Sequence, residues 1–252
     1  MGIYQTAEIA RMNHIHPNTV RLYEKLGLLT PPQRLANGYR VFTKLHLEEV
    51  RLIRLALEVE VLQNGLRKQM ISVLKAVAAL DWQGAQQQCQ AYLEHLASER
   101  LNAEESLRMS GALWEALPPN LPEQWLTRTQ MARELGISVE TLRNWERNGL
   151  LGEKHFQQGK RMYDAADGQR LKLIRTLRCA NYSLTAILRL LSIPQKPSAG
   201  ALRQIIDTPA AREEIISVCD QLLTSLERAE ANGQQVLAKI RQMAQQFQDP
   251  PL

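Results

Sequence analysis

Thr19, Arg21 and Tyr23 alternate along one short stretch, and a second basic cluster, Arg34, Tyr39 and Arg40, follows a proline-rich turn. These groups suit phosphate oxygens. A guanidinium fork matches two oxygens at once, and threonine and tyrosine hydroxyls add neutral donors. Asn18, just before Thr19, carries an amide of the kind that reads base edges. The set recurs 122 positions on as Thr141, Arg143 and Trp145, then 121 positions on as Lys160 and Arg161. There Trp145 offers only an indole N–H, and Glu140 stands where Asn18 does, with oxygens that accept, for instance from cytosine. The chemistry indicated is non-covalent, in two copies. No Gly-rich phosphate loop, nucleophile elbow or paired-carboxylate motif accompanies it, so catalysis is not expected.

The copies extend well beyond these residues. At an offset of 122, Ala10, Arg11, Ile15, Thr19, Arg21, Glu24, Gly27, Leu28 and Leu29 meet identical residues. After a one-residue deletion, Arg40 meets Arg161, Phe42 meets Tyr163, and Leu52-Ile53-Arg54 meets Leu173-Ile174-Arg175. A repeat of this length is a duplicated domain rather than a solenoid unit.

The elements that must position the clusters read alike in both copies. A short helix is expected over Thr6–Met12 and over Arg128–Leu135. A tight turn leads to a second helix, which starts near His16-Pro17, with proline at the first helical position, and near Ser138, a good N-cap. Gly27 and Gly149 close these helices. Two short helices joined by a tight turn form a helix-turn-helix. Asn37-Gly38 and Gln158-Gly159 then predict the tips of two-stranded wings. Further helices are expected from about Leu45 to Val59 and Ala165 to Ala180.

The chain of 252 residues carries a formal charge of +5. Residues 1–54 hold eight Lys/Arg against four Asp/Glu, and residues 124–178 hold eleven against six, whereas residues 209–247 hold four against five. The basic excess therefore lies in the two copies, as an anionic partner requires. Three dispersed cysteines without a CxxC pair point away from disulfides and towards a reducing cytoplasm. Neither a signal peptide nor a membrane-spanning run is expected.

The segment T-V-R-L-Y-E-K-L-G-L-L followed by R-x-x-N-G-Y-R-V-F closely resembles the DNA-binding domain of the MerR family of bacterial transcription regulators. T-L-R-N-W-E-R-N-G-L-L with G-K-R-M-Y resembles it more distantly. The resemblance implies a mainly α fold: two winged helix-turn-helix domains, each followed by a long helix, the long helices forming an antiparallel coiled coil. It also implies binding to double-stranded promoter DNA, distortion of that DNA, and RNA polymerase as partner at the promoter. DNA contacts would come from Asn18, Thr19, Arg21, Tyr23, Arg34, Tyr39 and Arg40, and from Thr141, Arg143, Trp145, Lys160 and Arg161. The second copy departs from the pattern at Glu140, Asn144 and Lys160, which implies a different or weaker specificity.

The expected division is a first winged domain over 1–80, a long helix over 81–117, a linker over 118–125, a second winged domain over 126–200 and a second long helix over 201–252. Ile215, Cys219, Leu222, Leu226, Ala229, Gly233, Val236, Ile240, Met243 and Phe247 recur every three or four residues, a heptad seam in which Gly233 is a soft spot. Started at Thr208-Pro209, that helix would span about 58 Å. The first long helix has a more ragged seam of Cys89, Leu93, Leu96, Arg100, Ala103, Leu107 and Trp114. Antiparallel pairing would deliver the chain to where the second winged domain begins. The expectation is thus an intramolecular pseudo-dimer, with a conventional homodimer as the rival.

Other candidates are weaker. His14 and His16 lie close together without an acidic or cysteine partner, so turn or DNA roles are expected rather than metal ligation. Cys89 lies where metal sensors of the family keep a ligand, but has no companion cysteine. Trp82, Trp114, Trp125 and Tyr92 are candidates to line a pocket for a small-molecule effector. The competing functional classes are a small-molecule binding or sequestering protein on this scaffold and an architectural DNA-bending protein. No cofactor is expected.

Overall fold

The computed structural model describes residues 3–58, 65–115, 125–152, 155–193, 199–208 and 218–247. The fold is mainly helical and divides into two compact units, one of Met1–Ser98 with Leu226–Leu252, the other of Glu99–Ser225.

In the first unit, α1 (Thr6–Met12) opens on a capping box in which the Gln5 amide donates to Glu8 Oε2 at 2.7 Å. Helix α2 (Pro17–Lys25) starts as expected, with Pro17 in its first turn and His16 Nδ1 accepting from the Asn18 amide at 3.2 Å. Gly27, at φ +68°, follows its end. Strands β1 (Gln33–Arg34) and β2 (Arg40–Val41) form the wing. Its tip is a turn closed by Gly38 N to Leu35 O at 2.8 Å, and Gly38 at φ +81° lets the Leu35 amide reach Tyr39 O at 2.9 Å. Helices α3 (Lys44–Ala56), α4 (Leu66–Ala78) and the first half of α5 (Trp82–Glu115) complete this part of the unit. Ile9, Val20, Phe42, Leu52, Ile53 and Leu74 fill its core.

In the second unit, β3 (Leu126–Thr127) adds a strand to the wing, so the sheet order is β3-β5-β4, with β4 at His155–Gln157 and β5 at Lys160–Tyr163. Helix α6 (Arg128–Leu135) has the expected bounds, and α7 (Val139–Arg147) begins on Ser138, whose Oγ accepts from the Thr141 amide at 3.0 Å. Gln158 and Gly159 are both left-handed, at φ +48° and +75°, and join β4 to β5 as a two-residue loop. The single-residue deletion between the copies therefore falls at the wing tip, where the first copy places three residues between Leu35 and Tyr39. Helices α8 (Ala165–Cys179), α9 (Leu184–Leu191) and α10 (Ala199–Asp207) follow.

One position shows the copies solving the same problem with opposite charges. Glu49 accepts from Thr30 N at 3.2 Å and Thr30 Oγ1 at 2.5 Å, and that hydroxyl also reaches Ala78 O at 3.1 Å. The segment after α2 is thereby held to the end of α4. At the matching place in the second copy, Arg170 donates to Leu150 O at 2.7 Å and Leu191 O at 3.5 Å, holding the segment after α7 to the end of α9. Burial pushes the Glu49 carboxyl up to about 7, against the hydrogen bonds from Thr30 that lower it. The folded carboxyl then binds its proton more tightly than the unfolded one at 4.5. Its contribution favours folding at low pH and is lost as pH rises through about 7. His46, lowered by burial and bonded to Thr30 O, acts oppositely as pH falls below 6.5. The expected result is that denaturant midpoints for Glu49→Gln, measured from pH 5 to 8, fall with rising pH less than those of the wild type.

The second long helix differs from expectation. Residues 209–217, including the expected start and Ile215, lie outside the described residues. From Val218 to Gln221 the chain is a 3₁₀ turn, and α11 runs over Leu222–Gln246, 25 residues or about 38 Å. The helix begins at Leu222 because Asp207, at the end of α10, supplies its cap. The Asp207 carboxylate accepts from Leu223 N and Thr224 N, each at 3.0 Å. Leu222, Leu226, Ala229, Gly233, Val236, Ile240 and Met243 are all buried, as the seam requires. In α5, Cys89, Leu93, Leu96, Ala103 and Leu107 are buried, and Arg100 is half-buried, its guanidinium 2.9 Å from Glu104. The side chains of Trp114 and Cys219 and the linker 118–124 lie outside the described residues.

Gly233 is a point of close approach rather than a soft spot. A Cβ there would lie 2.8 Å from Leu93 Cδ2 and 3.2 Å from Tyr92 Cε1. Cys89 Sγ contacts Gly233 O at 3.8 Å. In the same unit Asn232 Nδ2 donates to Leu55 O at 3.0 Å, and Lys239 pairs with Glu48. In the second unit, the later half of α5 meets the second winged domain: Asn181 Nδ2 donates to Glu99 Oε2 at 3.3 Å and Tyr182 OH to Ala103 O at 3.3 Å. Each winged domain is thus joined within its unit by part of the long helix that follows the other domain.

Candidate nucleic-acid interface

Two glutamates organise the predicted residues. In the first copy, Glu24 near the end of α2 accepts from Arg40 Nε at 2.6 Å and lies 3.5 Å from Arg34 Nη2. This ties the wing to the helix beside it. Arg34 keeps 54 % of its side chain exposed and Arg40 27 %. Tyr39 is exposed at the wing tip. On α2, Asn18 and Arg21 are exposed and joined by a 3.0 Å bond from Arg21 Nη1 to Asn18 Oδ1. Thr19 and Tyr23 are half-buried. Burial raises the Tyr23 phenol, opposed by nearby Arg54, so it stays a protonated donor at neutral pH.

In the second copy, Glu146 gathers more partners. It lies 3.0 Å from Arg128 Nη2 and 3.6 Å from Arg161 Nε, and it accepts from Tyr163 OH. Arg161 also lies 3.5 Å from Asp167 Oδ2, with its guanidinium carbon 5.0 Å from the Tyr163 ring centre. It is only 4 % exposed, and Trp145 only 5 %. The structure therefore places Arg161 and Trp145 in the core of the second domain, not on its surface. The cause is two changes between the copies: Tyr163 replaces Phe42 and its hydroxyl donates to Glu146, and Asp167 replaces His46 and supplies a carboxylate 3.5 Å from the guanidinium, so the wing arginine turns inward. Burial raises the Asp167 carboxyl, with Asp164 adding to the rise and Arg161 opposing it.

Lys160 and Arg143 stay exposed, and Thr141 is half-buried against Ser138 Oγ at 2.8 Å. Glu140 draws in Arg143 at 3.3 Å and Arg147 at 2.8 Å, so this face of α7 is partly self-neutralised. Beside it opens a cleft of about 620 Å³, lined in part by Glu140, Thr141, Asn144, Trp145, Arg175 and Arg178.

Sequence reasoning missed the organising roles of Glu24 and Glu146, although their identity in the two copies was a visible signal. It also missed Arg128, whose partner Glu146 is 18 positions away. His16 caps α2, and His14 holds a left-handed turn conformation at φ +53°. Among the described residues no group of three His, Cys, Asp or Glu is placed to hold a metal. Burial pushes the Cys89 thiol up to about 11. Tyr92 is buried in the first unit, and Trp125 lies edge-on to His155 in the second, ring centres 5.1 Å apart. No described helix is long and apolar enough to cross a membrane.

Residues 5–42 match the model of the MerR family regulatory proteins, and residues 126–192 match that of the MerR HTH family regulatory proteins. The HTH-type transcriptional regulator CueR of Escherichia coli O6:H1 is 42 % identical over 53 residues, 21 % of this chain and 39 % of CueR. CueR of Salmonella typhi is 42 % identical over 53 residues, 21 % of this chain and 38 % of that protein. The nodulation protein NolA of Bradyrhizobium diazoefficiens is 41 % identical over 59 residues, 23 % of this chain and 25 % of NolA. The chain thus spans about two fifths of the CueR proteins it matches. No solved structure matches.

Proposed function

We propose that this chain, which belongs to the MerR family and carries two MerR-type domains in tandem, regulates transcription by binding double-stranded promoter DNA. In this reading α2 and α7 enter successive major grooves, the wings grip flanking phosphates, and the distorted promoter is presented to RNA polymerase in the bacterial cytoplasm. The observation that carries it is the paired Glu24 and Glu146 arrangement. In both copies a glutamate on the second helix of the helix-turn-helix fastens the wing, and basic groups stay exposed around it, Arg21 and Arg34 in the first copy, Arg143 and Lys160 in the second.

The first copy supplies Asn18, Thr19, Arg21, Tyr23, Arg34, Tyr39 and Arg40 as contacts. The second supplies Thr141, Arg143 and Lys160, while Trp145 and Arg161 act from the core by positioning α7 and its wing. Because Glu140 occupies Arg143 and Arg147, the second domain holds phosphate less tightly and the first anchors the complex. The chain acts as an intramolecular pseudo-dimer, its long helices paired antiparallel as a coiled coil. The support is that Leu226–Leu252, which follows the second winged domain, belongs to the unit of the first. The operator then has two unlike half-sites.

The test is a mobility-shift titration on the DNA upstream of the chain's own gene. Arg21→Ala combined with Arg40→Ala should weaken binding about 10- to 100-fold and reduce the slope of log affinity against log salt by about 2. Unchanged affinity and slope would contradict the reading.

A further inference from the structure

We propose that the two recognition helices read different bases at corresponding positions of the two half-sites, Leu22 meeting a thymine methyl and Asn144 hydrogen-bonding an adenine. This rests on the DNA-binding reading above and names the chemistry each helix selects.

Residues four apart on a helix lie on one line. Asn18, Leu22 and Leu26 form that line on α2, and Glu140, Asn144 and Asn148 form it on α7. Every pair along it has diverged in chemistry, while the flanking Arg21 and Arg143, Lys25 and Arg147, and Glu24 and Glu146 keep theirs. The phosphate-directed groups are thus retained and the line beside them is changed.

On α2 the inward side is occupied by Val20, fully buried, whereas Leu22 is 49 % exposed one turn beyond Asn18. In the major groove the feature that rewards an apolar side chain is the C5-methyl of thymine. On α7 the matching Asn144 is exposed, and Asn148 Nδ2 donates to both its Oδ1 and its carbonyl oxygen, each at 2.8 Å. That pair of bonds orients the amide. Its NH₂ stays available as a donor, and Oδ1 keeps a lone pair. Adenine presents the complement, N7 as acceptor and N6 as donor. The Glu140 carboxylate, one turn earlier, is engaged by two arginines, which leaves the NH₂ and the second Oδ1 lone pair of Asn144 as the groups for the base edge.

The test selects the full-length protein on randomised duplex DNA and compares wild type with Leu22→Asn and Asn144→Leu. Both positions are exposed, so neither substitution disturbs the core. The wild type should recover two unlike half-sites. Leu22→Asn should replace thymine by adenine at one position of one half-site, by about tenfold in preference, and Asn144→Leu should do the converse in the other. A palindromic wild-type site would overturn the proposal. So would unchanged preferences in both variants while salt-dependent binding persists, and that outcome would leave the DNA-binding function standing. Failure of the wild type to bind duplex DNA at all would overturn both.

Discussion

Arg161→Ala should melt the second winged domain on the order of 10 °C below wild type. The side chain is 2 % exposed, and its removal takes away the cation 3.5 Å from Asp167 Oδ2, while Glu146 keeps Arg128 at 3.0 Å. Breaking a buried pair from one side costs about 3–5 kcal/mol, because the remaining charge has lost both its partner and its water. The matching Arg40→Ala should behave differently. That guanidinium is 27 % exposed and its partner Glu24 19 %, so solvent screens the pair and the stability loss stays within about 1 kcal/mol. The position that aligns perfectly between the copies thus carries stability in the second and, under the proposed function, DNA contact in the first. Calorimetric scans of the two variants check this, and equal shifts in both would contradict the inward placement of Arg161.

Gly233→Leu should lower stability by about 1–3 kcal/mol. Helix propensity alone gives the opposite sign, since replacing a mid-helix glycine by a strong helix former gains about 1 kcal/mol. The neighbours decide. A Cβ at 233 already stands 2.8 Å from Leu93 Cδ2, and Leu93 is itself buried, so a larger side chain has no free space to enter. Urea unfolding followed by circular dichroism reads the sign directly. A stabilised variant would mean that α5 and α11 do not approach as closely as Cys89 and Gly233 indicate.

The two cases mark where sequence reasoning works and where it stops. The bounds of α2 and α7 were legible because local chemistry sets them: Pro17, Ser138 and the left-handed Gly27 and Gly149 act within a turn of the element they punctuate. The wings were legible from Asn37-Gly38 and Gln158-Gly159 for the same reason. The heptad positions from Leu222 onward were legible because burial follows the period. Helices α4 and α9 carry no motif and were not singled out. The 3₁₀ turn before α11 was not legible because the cap of that helix, Asp207, comes from a different helix. Arg161 was assigned to the surface because alignment with Arg40 preserves residue type and says nothing of the Asp167 carboxylate and the Tyr163 ring, which meet it only after folding. Gly233 was read by propensity when its neighbour Leu93 lies 140 positions away.

The central claim is that one chain supplies both DNA-reading domains of a regulator. Sedimentation of the full-length protein at low micromolar concentration, free and with a duplex carrying its operator, tests this most directly. The account predicts a free species of 28.7 kDa and a complex containing one chain per duplex. A free species of twice that mass, with two chains on each operator, would contradict it.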